Sequence, residues 1–165
     1  MTFALRIASA VAFEDQVVER LRALGFVADK FGQGQLPDRQ RELLRTVDTP
    51  IRWMADIIAQ RKFSAGTLCM FVDAKAGDKY KQTNNHDIET RALNTLIEWK
   101  RFAKAPSLIV TADWCVHDPE YVSGICWDGR WNGNGSGTPF KLWPVSAGQP
   151  WERYFDEELL ELLVM

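Results

Sequence analysis

Asp73 and Lys75 stand two residues apart at the end of an apolar run, MFVDAK from Met70 to Lys75. On a strand their side chains project from one face, because successive side chains alternate. Burying either charge alone is costly, so the pair needs partners or a metal. Asp56 offers the next group. The runs IRWMADIIAQ and TLCMFVDAK are both β-rich, and RKFSAG between them has the composition of a turn. An antiparallel hairpin would set Asp56, sharing its face with Met54 and Ile58, beside Asp73 and Lys75.

Two carboxylates and an amine at the edge of an apolar sheet suit a divalent cation. Mg²⁺ takes oxygen ligands and is commonly held by one or two carboxylates plus waters and a substrate phosphate. It would offset the repulsion between Asp56 and Asp73, acidify a bound water and polarise a phosphoryl oxygen. Lys75 would orient that water or stabilise developing negative charge. The chemistry expected is phosphodiester hydrolysis. A third carboxylate comes from FEDQVVERLRAL, where Phe13, Val17, Leu21 and Leu24 form a helical stripe with Gly25 at the C-cap position. Glu14 flanks that stripe, whereas Asp15 and Glu19 lie on the far side.

The elements that must position these groups follow along the chain. GFVADKF reads as a short strand, GQGQLPDRQ as loop and RQRELLRTV as a short helix before Pro50. The strand TLCMFVDAK has Cys69 and Phe71 on one face and Leu68, Met70 and Val72 on the other, so it is central and covered on both sides. Asn84 or Asn85 is placed to cap a helix with Asp87 and Glu89 in its first turn and the stripe Ile88, Ala92, Leu96, Trp99 and Ala103, stopped by Pro106. SLIVTAD reads as a buried strand, YVSGICW as another, NGNGSG as a loop, TPFKLWPV as the last strand and ERYFDEELLELL as a terminal helix. One α/β domain over residues 1–165 is expected, with a mixed sheet between helices, a core of about 12–113 and a tryptophan-rich β extension over about 114–165.

These residues resemble the PD-(D/E)XK, or restriction-endonuclease-like, nuclease superfamily. Its order of elements is a helix with a glutamate, a hairpin whose first strand carries an aspartate, a second strand ending in (Asp or Glu)-x-Lys, then a helix and a strand. Here Glu14, Asp56, Asp73 and Lys75 fill those places, followed by HDIETRALNTLIEW and SLIVTAD. Ala55 stands where the family often has proline before its aspartate. The resemblance implies a restriction-endonuclease-like sandwich in which Asp56, Asp73 and Glu14 bind Mg²⁺, with Mn²⁺ as substitute. It further implies the Ala74 carbonyl as a metal ligand and Lys75 as catalytic lysine. It also implies DNA as substrate and a homodimer acting in recombination, repair or phage DNA processing. A Holliday-junction resolvase is the nearest alternative. A non-catalytic nucleic-acid-binding or protein-interaction module of the same fold is another.

Other signals have ordinary explanations beside functional ones. His86 reads as a helix-terminus or surface residue and His117 as a loop residue, so neither is assigned to catalysis. Lys79 and Lys81 directly follow Lys75 and are candidate nucleic-acid contacts; Arg39, Arg41, Arg45, Arg52, Arg61 and Lys62 could also surround the site. Trp114, Trp127, Trp131, Trp143 and Trp151 suit core packing or a subunit interface better than base stacking. The glycines of WNGNGSGTPF lack the phosphate-loop spacing.

Composition bounds the rest. The chain has 165 residues, 46% hydrophobic and 25% charged, which excludes disordered and collagen-like classes. A net charge of −2 means that any nucleic-acid contact must be a local patch. Cys69, Cys115 and Cys126 are odd in number and widely spaced, which points to buried reduced thiols. No apolar run approaches the roughly 20 residues of a membrane span, and MTFALRIASAVAFEDQ lacks the pattern of a signal peptide. A cytoplasmic setting, in a bacterium or a phage-infected cell, is expected, with no membrane partner.

Overall fold

The computed structural model describes residues 3–47, 49–77, 84–129 and 138–164. Along the chain come α1 (Phe3–Ala23), β1 (Val27–Lys30), α2 (Asp38–Thr46), β2 (Ile57–Lys62), β3 (Thr67–Lys75), β4 (Asn85–Glu89) and α3 (Thr90–Ala103). There follow β5 (Ser107–Thr111), β6 (Cys115–His117), α4 (Pro119–Ile125), β7 (Trp127–Asp128), β8 (Phe140–Pro144), β9 (Gln149–Pro150), α5 (Trp151–Tyr154) and α6 (Glu157–Leu162).

The six-stranded sheet has the order β1-β2-β3-β5-β6-β9, and a three-stranded sheet has the order β4-β8-β7. β3 and β5 are parallel, while the other neighbours in the large sheet are antiparallel. Parallel neighbours need a long crossover, here the segment carrying β4 and α3. Alternation along β3 splits the core between the two faces of the large sheet. Leu68, Met70 and Val72 join Val17 and Leu21 of α1, whereas Phe71 joins Leu93 and Leu96 of α3 and Trp143 of β8. The mixed sheet and its centrally placed, doubly covered β3 agree with the sequence.

Several elements differ from the sequence reading. α1 starts at Phe3, well before Phe13, because FALRIASAVA has helix-forming residues but too few polar positions to mark a face. Gly25 ends that helix as expected, at φ 82°. Residues Pro50–Trp53 form a 3₁₀ turn, so β2 begins only at Ile57 and runs through Arg61 and Lys62, leaving Phe63 to Gly66 for the turn. Met54 consequently does not share a strand face with Asp56.

Asn85–Glu89 is a strand and not the start of a helix, since it pairs with β8 across Asn85↔Pro144 to Glu89↔Phe140. Helix α3 buries Ala92, Leu93 and Leu96, but Ala103 is exposed. YVSGICW does not form a strand: Asp118 accepts the N–H groups of Glu120 and Tyr121 and Pro119 takes the first turn, which nucleates α4. β8 is followed by β9, and the terminal helix is two pieces because Asp156 caps a new one. The expected loop NGNGSG lies outside the described residues.

Candidate active site

β2 and β3 part company where the candidate residues lie. Their last pair is Ile57↔Val72, whereas β3 stays paired with β5 through Lys75↔Thr111. The backbone of Asp73 to Lys75 therefore has no β2 partner. The Asp56 carboxylate replaces one, with Oδ2 accepting the Ala74 N–H at 2.9 Å. Asp56 is itself tethered to the strand beyond, since its carbonyl accepts the Phe31 N–H at 2.6 Å.

Asp73 is 4% exposed, and its Oδ2 lies 2.8 Å from Lys75 Nζ. That contact is an ion pair without the angles of a hydrogen bond, so Oδ2 has no aligned donor. Burial pushes the Asp56 carboxyl up to about 8, helped by the Asp73 charge and opposed by Lys75 and the Ala74 N–H. For Lys75 burial disfavours the ammonium, but the charges of Asp73 and Asp56 outweigh it and the pKa is raised. Asp56, Asp73 and Lys75 are thus one electrostatic unit.

Glu14 reaches the same end of the sheet from α1. Burial raises its pKa against the lowering effect of Lys30, and the charges of Asp15 and Asp73 add to the rise. Its Oε2 lies 3.6 Å from Lys30 Nζ, which also pairs with Asp15 at 2.7 Å. Among the described residues no three His, Cys, Asp or Glu side chains converge as a ready metal-holding group. The Asp56 and Asp73 pair nevertheless has the chemistry that a hard divalent cation fits: one buried oxygen without an aligned donor, and one carboxyl whose pKa is raised by burial and by the neighbouring Asp73 charge.

Two further carboxylates lie within electrostatic range of Lys75. β4 presents Asp87 and Glu89 on its exposed side. Burial raises the Asp87 pKa while Lys75 and His86 oppose it, and the Glu89 charge acts on Lys75. The sequence put both in the first turn of a helix. Lys30 was also missed, and an isolated lysine at the end of a short strand carries no signal that would have singled it out.

The two histidines are buried, His86 on β4 and His117 on β6, not at a surface or in a loop. Trp143 Nε1 donates to His117 Nδ1 at 3.2 Å, and His117 Nε2 lies 3.2 Å from Thr111 Oγ1. Thr111 Oγ1 donates to Asp113 Oδ1 at 2.6 Å, and Asp113 Oδ2 is 3.4 Å from His86 Nε2. Of the basic residues, Arg61 pairs with Glu157 and lies with Lys62 at the end of β2 remote from Asp56. Arg41 pairs with Asp38. Lys79, Lys81 and Trp131 lie outside the described residues. Trp143 and Trp151 are core residues and Trp114 packs against that core, while Trp127 is exposed. The three cysteines are free thiols, and each is partly exposed where burial was expected.

No protein-family model matches the chain, and no curated protein matches it. Among solved structures, the Holliday junction resolvase Hjc of the archaeal hyperthermophile Archaeoglobus fulgidus is similar at a TM-score of 0.54 and 14% identity. The match covers 88% of this chain and 99% of that one. D212, a nuclease from a fusselovirus, is similar at a TM-score of 0.50 and 8% identity, covering 99% of this chain and 93% of that one. The likeness is one of fold: a central mixed sheet between helices, of the restriction-endonuclease-like type.

Proposed function

We propose that the chain is a metal-dependent nuclease that hydrolyses DNA phosphodiesters as an endonuclease of recombination, repair or phage DNA processing. The observation that carries this reading is the convergence of Asp56, Asp73 and Lys75 where β2 leaves β3. The two similar structures, one a Holliday junction resolvase and the other a nuclease, support it.

Asp56 and Asp73 would hold Mg²⁺, or Mn²⁺ in its place, with Glu14 and the Ala74 carbonyl as further ligands. The bound cation would supply charge neutralisation at the scissile phosphate and a lowered pKa for the attacking water. Lys75, fixed by its ion pair with Asp73, orients that water and stabilises charge developing on the phosphoryl oxygens. Lys79 and Lys81 contact the DNA backbone. A homodimer would set two such sites against two strands. The fold likeness to Hjc favours a second reading, a Holliday-junction resolvase in the strict sense.

The test is cleavage of linear duplex, single strand, flap and four-way junction with Mg²⁺ or Mn²⁺, comparing the wild type with Asp73→Ala. Metal-dependent cutting that disappears in a folded Asp73→Ala protein is expected. Symmetric cutting confined to the junction, by a dimer, would select the resolvase. Cutting unchanged in Asp73→Ala would overturn the site, and DNA binding without any cutting would make the chain a binding module.

A further inference from the structure

Lys30 occupies a place that the nuclease reading leaves unexplained. It ends β1 opposite Ile57, the residue after Asp56. Its ammonium faces three oxygens: Asp15 Oδ1 at 2.7 Å, the Val11 carbonyl at 3.4 Å and Glu14 Oε2 at 3.6 Å. The Glu14 contact is the longest, beyond ordinary hydrogen-bond reach, and is the one most easily exchanged. Glu14 is meanwhile within electrostatic reach of both Asp56 and Asp73. The third carboxylate is therefore at the rim of the site, facing an ammonium instead of completing the cluster.

Resting on the nuclease reading, we propose that Lys30 is a phosphate-contacting residue that holds Glu14 back from the cation until substrate arrives. Glu14, Asp15 and Asp73 outnumber Lys30 and Lys75 at this end of the sheet even when Asp56 is protonated. A polyanion entering there is drawn by the two ammoniums and repelled by the carboxylates. Lys30 keeps 17% of its side chain exposed. When phosphate takes the ammonium, Glu14 loses its counter-charge and turns to the cation. Substrate and cation then strengthen one another's binding, because coupling between two sites is reciprocal.

Two titrations test this without reading cleavage. In the first, Mn²⁺ binding is measured by calorimetry for the wild type, Lys30→Met, Glu14→Gln and the double variant, without DNA. Lys30→Met should bind about fivefold tighter or better, the low end of ordinary coupling. That gain should vanish in the Glu14→Gln background. A gain that survives there is bare loss of a positive charge and overturns the inference, as does no gain at all. In the second, a short duplex is titrated in EDTA at several low salt concentrations. Lys30→Met should reduce the slope of log affinity against log salt by about 0.9, one phosphate contact, and the remote Lys62→Met should not. Equal slopes in wild type and Lys30→Met overturn the Lys30 contact alone. A wild type that binds no duplex either in EDTA or with Mn²⁺ restored overturns the nucleic-acid reading and this inference with it. Thermal melting confirms that each variant is folded.

Discussion

Asp56 and Ala74 are joined by a hydrogen bond from main chain to side chain, 2.9 Å long, between residues 18 apart in sequence. The bond closes the gap left by β2 and brings the Asp56 carboxyl against Asp73. The geometry that satisfies a backbone N–H also buries the Asp56 carboxyl beside the Asp73 charge, and both effects raise its pKa.

Replacing Asp56 separates the hydrogen bond from the raised pKa. The folded pKa, about 8, is raised above the ordinary aspartate value, so this group's stabilising contribution is present at low pH and is lost as pH rises through about 8. In EDTA at pH 9, Asp56→Asn, which keeps an acceptor for Ala74 but no charge, should melt higher than the wild type. Asp56→Ala should fall below Asp56→Asn by about 1 kcal/mol, the usual worth of a hydrogen bond. Equal melting of all three at pH 9 would contradict the raised pKa.

Metal addition should act on the same pair. A ligand present at a hundredfold excess over its Kd stabilises the folded state by about 2.7 kcal/mol. Mg²⁺ should therefore raise Tm at pH 8, less at pH 5 where protons compete for the carboxylates, and not at all in Asp73→Asn. Melting curves in EDTA and in Mg²⁺ decide it.

His117 gives an acid-side prediction. Trp143 donates to Nδ1, which leaves Nε2 to carry the proton toward Thr111 and makes the neutral ring the one that fits. Burial, with His86 close by and only partial relief from Asp113, pushes its pKa down to about 4. The unfolded chain, with a histidine pKa near 6.5, binds more protons between those values, so stability falls as pH drops through this window. The loss should approach about 1 kcal/mol per pH unit and flatten in His117→Gln, as read from denaturant melts between pH 4 and 7.

Gly148 abuts the same histidine. A Cβ there would lie 2.5 Å from His117 Cε1 and 2.8 Å from Cys115 Cβ, so β9 can lie against β6 only with glycine at this position. Gly148→Ala should cost about 1–3 kcal/mol by overpacking. Chemical denaturation would measure the loss, and an unchanged midpoint would refute the close approach.

What the sequence determined by itself was local in range. The alternation Leu68, Met70, Val72 against Phe71 fixed β3 as a strand buried on both faces, and the 3.6-residue stripe from Phe13 to Leu24 fixed a helix facing it. The Asp73-x-Lys75 spacing put an acid and an amine on one side of that strand, and the hairpin turn brought Asp56 toward them. Those signals sit within a few residues of the groups they place.

Tertiary structure decided what depends on distant partners. Asn85–Glu89 has the acidic composition of a helix start, yet β8, some 50 residues on, offers a ladder for its backbone and makes it a strand. That choice puts Asp87 and Glu89 within electrostatic range of Lys75 and buries His86 beside His117. Lys30 is a comparable case, an unremarkable residue until β1 docks beside β2 and α1 crosses it, bringing the ammonium between Glu14 and Asp15. Side-chain period is written in neighbouring residues, whereas the partner of a strand edge or an ammonium is settled only when the chain closes on itself.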